Sequence, residues 1–153
     1  MADGTQPNDG ESPVIVGLSD AAMHMYSSAI ETLPDPGDEA FPSRAAVILA
    51  GLRKLESALN DAADRSRTTP AVIVALSMVR GRYDDLMATA ANSPGATLGQ
   101  RLYVARGRAK LSRKEAANGI GVRADTIKAV EVEETPTDDE AARIKELIAA
   151  LGG

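Results

Sequence analysis

The chain has 153 residues, with 17 Lys and Arg against 22 Asp and Glu, and a formal net charge of -5. A hydrophobic fraction of 44% and a charged fraction of 25% belong to a chain that folds, which excludes intrinsic disorder over most of its length. The absence of cysteine and a single histidine, His24, exclude disulfides, thiolate chemistry, Cys-ligated metals and nearly all His-based catalysis.

Aromatic residues make up 3% of the chain, so the core must be built from Ala, Leu, Ile, Val and Met. With 27 alanines among them, that set favours helices over strands and predicts an all-α protein. No apolar run approaches the roughly 18 residues of a membrane span. The opening MADGTQPNDGESP is acidic and polar, unlike a secretory signal, and the expected location is the cytoplasm, with the nucleoid as its site of action.

Residues 1–13 are polar and turn-rich without periodicity and read as a disordered tail. A short helix is predicted from about Ser19 to Leu33, with Ala22, Tyr26, Ile30 and Leu33 on one face. Pro, Gly and small polar residues then break the chain at Leu33–Pro42, before Pro70, and at Asn92–Thr97. Between the breaks, Ile48, Leu52, Leu55, Leu59 and Ala62 step by four and three, as do Val72, Leu76, Val79, Tyr83, Leu86 and Ala90. Thr69 followed by Pro70 suits a helix start, since Thr caps and Pro fits the first turn. Two helices, 42–66 and 70–91, follow. Residues 14–92 are expected to be a helical hairpin with a third helix packed on it, a unit for dimerisation or partner binding; a long parallel coiled coil is the alternative.

After a linker at 93–97 the helices shorten. Thr97 with Gln100, Ser112 with Glu115, and Thr137 with Glu140 match capping-box spacing, in which the first side chain caps a backbone N–H and the third reaches back. Helices are predicted at 98–109, 112–119, 124–132 and 138–150. Within LSRKEAANGIGVRADTIKAVE, Leu111–Glu131, a helix is followed by Gly121, which accepts the positive φ of a sharp turn, and by a second short helix. Ala117, Ile120, Val122, Ile127 and Val130 fall where a helix pair meeting at about 90–120° buries its contact.

This helix-turn-helix spacing, with LGQRLYVARGRAK before it and TDDEAARIKELIAALGG after it, resembles the Xre/Cro-type DNA-binding domain of phage repressors and bacterial regulators. Leu98, Leu102, Leu111, Ser112, Glu115, Ala117, Gly121, Val122, Thr126, Ile127, Glu131 and Pro136 match the family pattern. The resemblance implies a lambda-repressor-like bundle over 98–153 whose recognition helix starts near Ala124 and enters the major groove. Asp125 and Lys128 would then contact bases, Asp accepting from a cytosine amino group and Lys donating to guanine. Ala124 and Ala129 would lie near thymine methyls, with Thr126 between them. Arg113 stands where a phosphate meets a helix start, and Lys114 beside it is a further expected DNA contact. Arg106 and Glu131 take the positions of a buried salt bridge. Arg123 stands where relatives have a Ser or Thr cap, which costs about 1 kcal/mol unless it serves phosphate. Val132, Glu133 and Glu134 replace the polar or basic residue and Gly that commonly follow.

Charge agrees with this division. Residues 98–130 carry eight Lys/Arg against Glu115 and Asp125, a net of +6, while 1–97 sum to -6 and 131–153 to -5. The function expected is therefore a bacterial, sequence-specific transcription regulator. It would bind double-stranded DNA as a homodimer, on a two-fold symmetric site, with a steep salt dependence. The alternative is a protein-interaction module or antitoxin-like adaptor with weak or lost DNA binding, acting through the acidic N-terminal helices on a protein partner. No catalytic motif, cofactor site or metal site is legible, so no enzyme activity, cofactor or metal is expected.

Overall fold

A computed structural model describes residues 11–65 and 69–153 of the chain. The described residues form seven helices and no strand: α1 Glu11–Glu31, α2 Phe41–Arg65, α3 Pro70–Ala91, α4 Leu98–Arg108, α5 Arg113–Ile120, α6 Ala124–Glu131 and α7 Asp138–Ala150. The protein is all-α. Most boundaries fall within a residue of those predicted, because apolar periodicity and caps act locally.

The first helix is the exception. It begins at Glu11, well ahead of Ser19 and inside the segment read as a tail. Pro13 did not prevent this, since it sits in the first turn, where a backbone N–H has no intrahelical partner to lose. Val14, Ile15, Val16 and Leu18 then carry the helix onward. The rest of the predicted tail, residues 1–10, lies outside the described residues.

The contacts divide the chain into two compact units, Met1–Asp35 with Ser43–Leu86, and Pro36–Pro42 with Met87–Gly153. In the first, Arg53 donates to the Tyr83 hydroxyl at 3.0 Å, and Arg80 bridges to Glu56 at 2.6 Å. The partner numbers fall on one helix as they rise on the other, so α2 and α3 form the expected antiparallel hairpin. Ile48, Leu52, Leu59, Ala62, Val72, Leu76, Val79, Tyr83 and Leu86 are all buried. Tyr26 of α1 lies directly over Gly51, so closely that a Cβ there would strike the ring. α3 starts as expected, with Val72 N donating to Thr69 Oγ1 at 3.4 Å.

The second unit does not begin at the expected linker. Residues 93–97 form a turn, with Ser93 buried, its Oγ donating to Ala90 O at 2.6 Å and Ala96 N donating to Ser93 O at 3.2 Å. Gly95 lies against the Pro42 ring, which ties the Pro36–Pro42 loop to this unit. The division by contacts thus falls inside α3, between Leu86 and Met87. Its main core is Leu102, Ala105, Ala117, Ile127, Val130, Ile144 and Ile148, drawn from α4 to α7.

Candidate functional site

All three capping boxes are closed. Gln100 N donates to Thr97 Oγ1 at 3.0 Å and Glu115 N to Ser112 Oγ at 3.0 Å, while Glu140 N reaches Thr137 Oγ1 at 3.1 Å. The return bonds from the Thr97, Ser112 and Thr137 N–H groups measure 3.0, 2.9 and 2.9 Å. Each box joins two of the four N–H donors that a helix start leaves without partners. The two hydrogen bonds with Ser112 hold the exposed Glu115 carboxyl below the usual glutamate range.

α5 ends at Gly121, which takes φ 70° and ψ 34° and donates its N–H to Ala117 O. A left-handed residue at this place satisfies an orphan carbonyl and turns the chain sharply. Arg143 of α7 secures the same corner, donating from Nη1 to Ile120 O at 3.0 Å and from Nε to Asp139 at 2.9 Å. α6 starts after Arg123, which makes no side-chain cap. The Arg123 carbonyl accepts from Thr126 N at 3.0 Å and from Ile127 N at 3.4 Å.

Glu131 is the electrostatic centre of this corner. Only 1% of its side chain is exposed, yet it receives Arg106 through Nε at 2.7 Å and Nη2 at 2.9 Å, and Arg113 Nε at 3.2 Å. Arg106 also donates to Leu111 O at 2.9 Å, so one side chain ties α4, the α4–α5 turn and α6 together. The hydrogen bonds that Arg106 donates to Glu131 raise its guanidinium above the ordinary value, against the opposing effect of burial. A bidentate, nearly dry pair of this kind is costly to break from one side.

The residues singled out in the sequence fall into two sets. Lys114, Arg123, Asp125 and Lys128 are exposed. Arg123 Nη2 and Asp125 Oδ2 approach to 3.3 Å with 84% of each side chain exposed, a pair that water screens almost fully. The other four are partly enclosed. Arg113 is drawn toward Glu131 with 41% of its side chain exposed. Ala124 packs against the core, Ala129 is half-buried, and Thr126 donates to Glu140 Oε2 at 3.4 Å.

Three contributions were not visible in sequence: the roles of Glu133 and Gly99, and the reach of Glu140, expected only as a cap, to Thr126. Glu133 takes φ 71° and accepts from the Thr97 hydroxyl at 2.8 Å, placing a carboxylate at the N-terminus of α4, where the helix dipole favours it. The signal available was the glycine expected near this position. Gly99 lets α4 approach α6 so closely that a Cβ would collide with the Val130 carbonyl oxygen. Glu140 serves both the α7 cap and Thr126. Beside α6 lies an open cleft of about 300 Å³ whose charged lining is Arg123 with the carboxylates of Asp125, Glu134 and Glu140.

Residues 26–97 match the family model MSMEG_6518_N, described as an N-terminal domain. An uncharacterized protein of Mycolicibacterium smegmatis (strain ATCC 700084 / mc(2)155) is 69% identical over 129 residues, which is 84% of this chain and 100% of that protein. The chain belongs to the family of that protein. The N-terminal domain match in this family member ends one residue before α4 begins. No solved structure matches it. Among the described residues no helix is long and apolar enough to cross a membrane, and no group of three or more His, Cys, Asp or Glu could hold a metal ion.

Proposed function

We propose that residues 98–153 are a helix-turn-helix head and that the protein is a sequence-specific DNA-binding transcription regulator acting as a dimer, as the resemblance to Xre/Cro-type domains implies. The observation that carries this reading is the α5–Gly121–α6 corner. Its apolar sides are buried in the core, while Lys114 in the first turn of α5, Arg123 just before α6 and Lys128 in the last turn of α6 stay exposed. A short helix that follows a left-handed turn, with exposed cations before it and along it, suits insertion into a major groove flanked by phosphates.

The individual roles narrow accordingly. Lys128 and Asp125 are the base-contact pair, with Asp125 leaving its screened contact to Arg123 on binding. Lys114 and Arg123 serve phosphate. Arg113 contributes the part of its guanidinium not turned to Glu131. Ala124, Thr126 and Ala129 shape the surface.

The test is a fluorescence-anisotropy titration of the full chain against the DNA upstream of its own gene, at two salt concentrations. Lys128→Ala is expected to weaken the specific site by about 1–3 kcal/mol and leave unrelated DNA unaffected. Lys114→Ala should weaken every sequence alike and reduce the salt slope by about one. Absent or salt-insensitive binding to every fragment tried would remove the reading.

A second reading, a protein-interaction module or antitoxin-like adaptor, is favoured by one observation. The seven large apolar side chains that remain exposed among the described residues, from Val14 to Met78, all precede the basic segment. A stoichiometric second protein purifying with the full chain would support it.

A further inference from the structure

Two helices joined through a single left-handed residue can hinge about it, because a few backbone angles absorb the whole change in direction. The turn between α5 and α6 supplies little to prevent this. Gly121 N and Val122 N both donate back to Ala117 O, which closes α5, and α6 starts after Arg123 without a side-chain cap. α7 grips the corner on both sides of the turn. Before it, Arg143 Nη1 donates to the carbonyl of Ile120, the last residue of α5, at 3.0 Å. Beyond it, Glu140 Oε2 accepts from the Thr126 hydroxyl in the first turn of α6, at a longer 3.4 Å. Glu140 and Arg143 stand three residues apart on α7 and share one face. Each is held in its turn, Arg143 Nε by Asp139 at 2.9 Å and Glu140 Oε1 by Thr137 N at 2.9 Å. Gly121 has a second reason to be glycine, since a Cβ there would lie 2.9 Å from Arg143 Nη1.

We infer that Arg143 is a positioning residue for the recognition helix: with Asp139 behind it and Glu140 beside it, it fixes the angle at which α6 leaves α5, and so governs how well the chain tells its specific site from other DNA. The inference rests on the proposed DNA-binding function and gives Arg143 no contact with DNA. Its force lies in leverage. A tilt of about 10° at the turn carries a side chain about 10 Å away through about 2 Å, well beyond the roughly 0.5 Å within which a binding constellation must be held. Hydrogen bonds from Lys128 and Asp125 to base edges depend on distance and direction and are lost by such a shift. Phosphate contacts by long exposed cations follow the backbone wherever it runs and survive it. Loss of the brace therefore falls on the specific site.

The test titrates the full chain, Arg143→Ala and Asp139→Ala against the DNA upstream of the chain's own gene and against an unrelated duplex. With 44% of its side chain exposed, Arg143 is no part of the core, and the variant should keep its helical circular dichroism. Arg143→Ala is expected to bind the upstream DNA about ten-fold more weakly, and the unrelated duplex nearly as tightly as the wild type with the same salt slope. Asp139→Ala should weaken the upstream DNA by less, although removing a negative charge would by itself strengthen every duplex. Amide exchange reads the corner without DNA: in Arg143→Ala, Gly121, Val122 and Thr126 should exchange faster while the buried Leu102, Ile144 and Ile148 do not. If Arg143→Ala weakens both duplexes alike and lowers the salt slope, Arg143 is a phosphate contact and the inference is overturned. Faster exchange throughout α4–α7 overturns it too, by making Arg143 a general support of the fold. A wild-type chain that binds neither duplex overturns the proposed function and this inference with it, whereas wild-type binding that survives Arg143→Ala unchanged overturns this inference alone.

Discussion

In the unit that holds α1 and the greater part of α2 and α3, long helices bury Leu, Ile and Val and still leave seven large apolar side chains exposed; in the unit that holds α4 to α7 none is left out. The short helices of the second unit are fastened by polar groups: three closed capping boxes, Arg143 on the α5 carbonyl end, and Glu131 between two arginines. Helix length explains the difference. A helix of 22–25 residues has a long apolar stripe to bury, whereas one of eight residues leaves half or more of its backbone groups at its ends and depends on caps. The contrast separates a framework held by packing from a corner held by directed bonds, which suits a surface that must present a few side chains in fixed positions.

The sharpest way to break the comparison is to remove one anchor from each side. Glu131→Ala leaves Arg106 in a nearly dry site without its carboxylate and should cost about 3–5 kcal/mol in urea denaturation. Leu52→Ala, at a fully buried position of α2, should cost about 2–5 kcal/mol through the cavity it opens. A Glu131→Ala loss under 1 kcal/mol would mean that the second unit, too, rests on packing. Gly99→Ala is next, at about 1–3 kcal/mol, because the α4 backbone must retreat from the Val130 carbonyl. Supplying the missing cap should act in the other direction: Arg123→Ser is expected to raise the thermal midpoint by the equivalent of about 0.5–1 kcal/mol, and to weaken DNA affinity at low salt if Arg123 serves phosphate.

The smallest effect is a pH dependence. The Glu115 carboxyl titrates below the usual glutamate range in the folded chain, because Ser112 donates to its charged form. Its contribution is therefore complete above the unfolded value and is lost as pH falls through the folded one. Glu115→Gln should leave stability near neutrality only slightly changed and flatten the acid limb of the stability profile. An unchanged acid limb would show that the α5 cap carries no titrating component.

The starts of α4, α5 and α7 were legible within a residue because Thr97, Ser112 and Thr137 each find their partner three residues on, within one turn of chain. Gly121 was legible for the same reason, since its left-handed backbone serves the helix that precedes it. Arg106 with Glu131 was reachable only through the family resemblance, the two residues being far apart along the chain. The start of α1 was misplaced because acidity and turn residues describe solvent preference, while Pro13 was compatible with a first helical turn.

Sequence alone thus determined the all-helical class, the caps, the turn and the placement of basic charge, all of which depend on composition or on neighbours within about one helical turn. Tertiary structure decided which of those charges remain exposed. It turned Arg113 toward Glu131 and Thr126 toward Glu140, seated Glu133 on the start of α4, and joined the Pro36–Pro42 loop to the second unit. Those outcomes rest on contacts between residues remote in the chain, and they are set by packing of the α4–α7 core and by close approaches at Gly95 and Gly99, which no local pattern encodes.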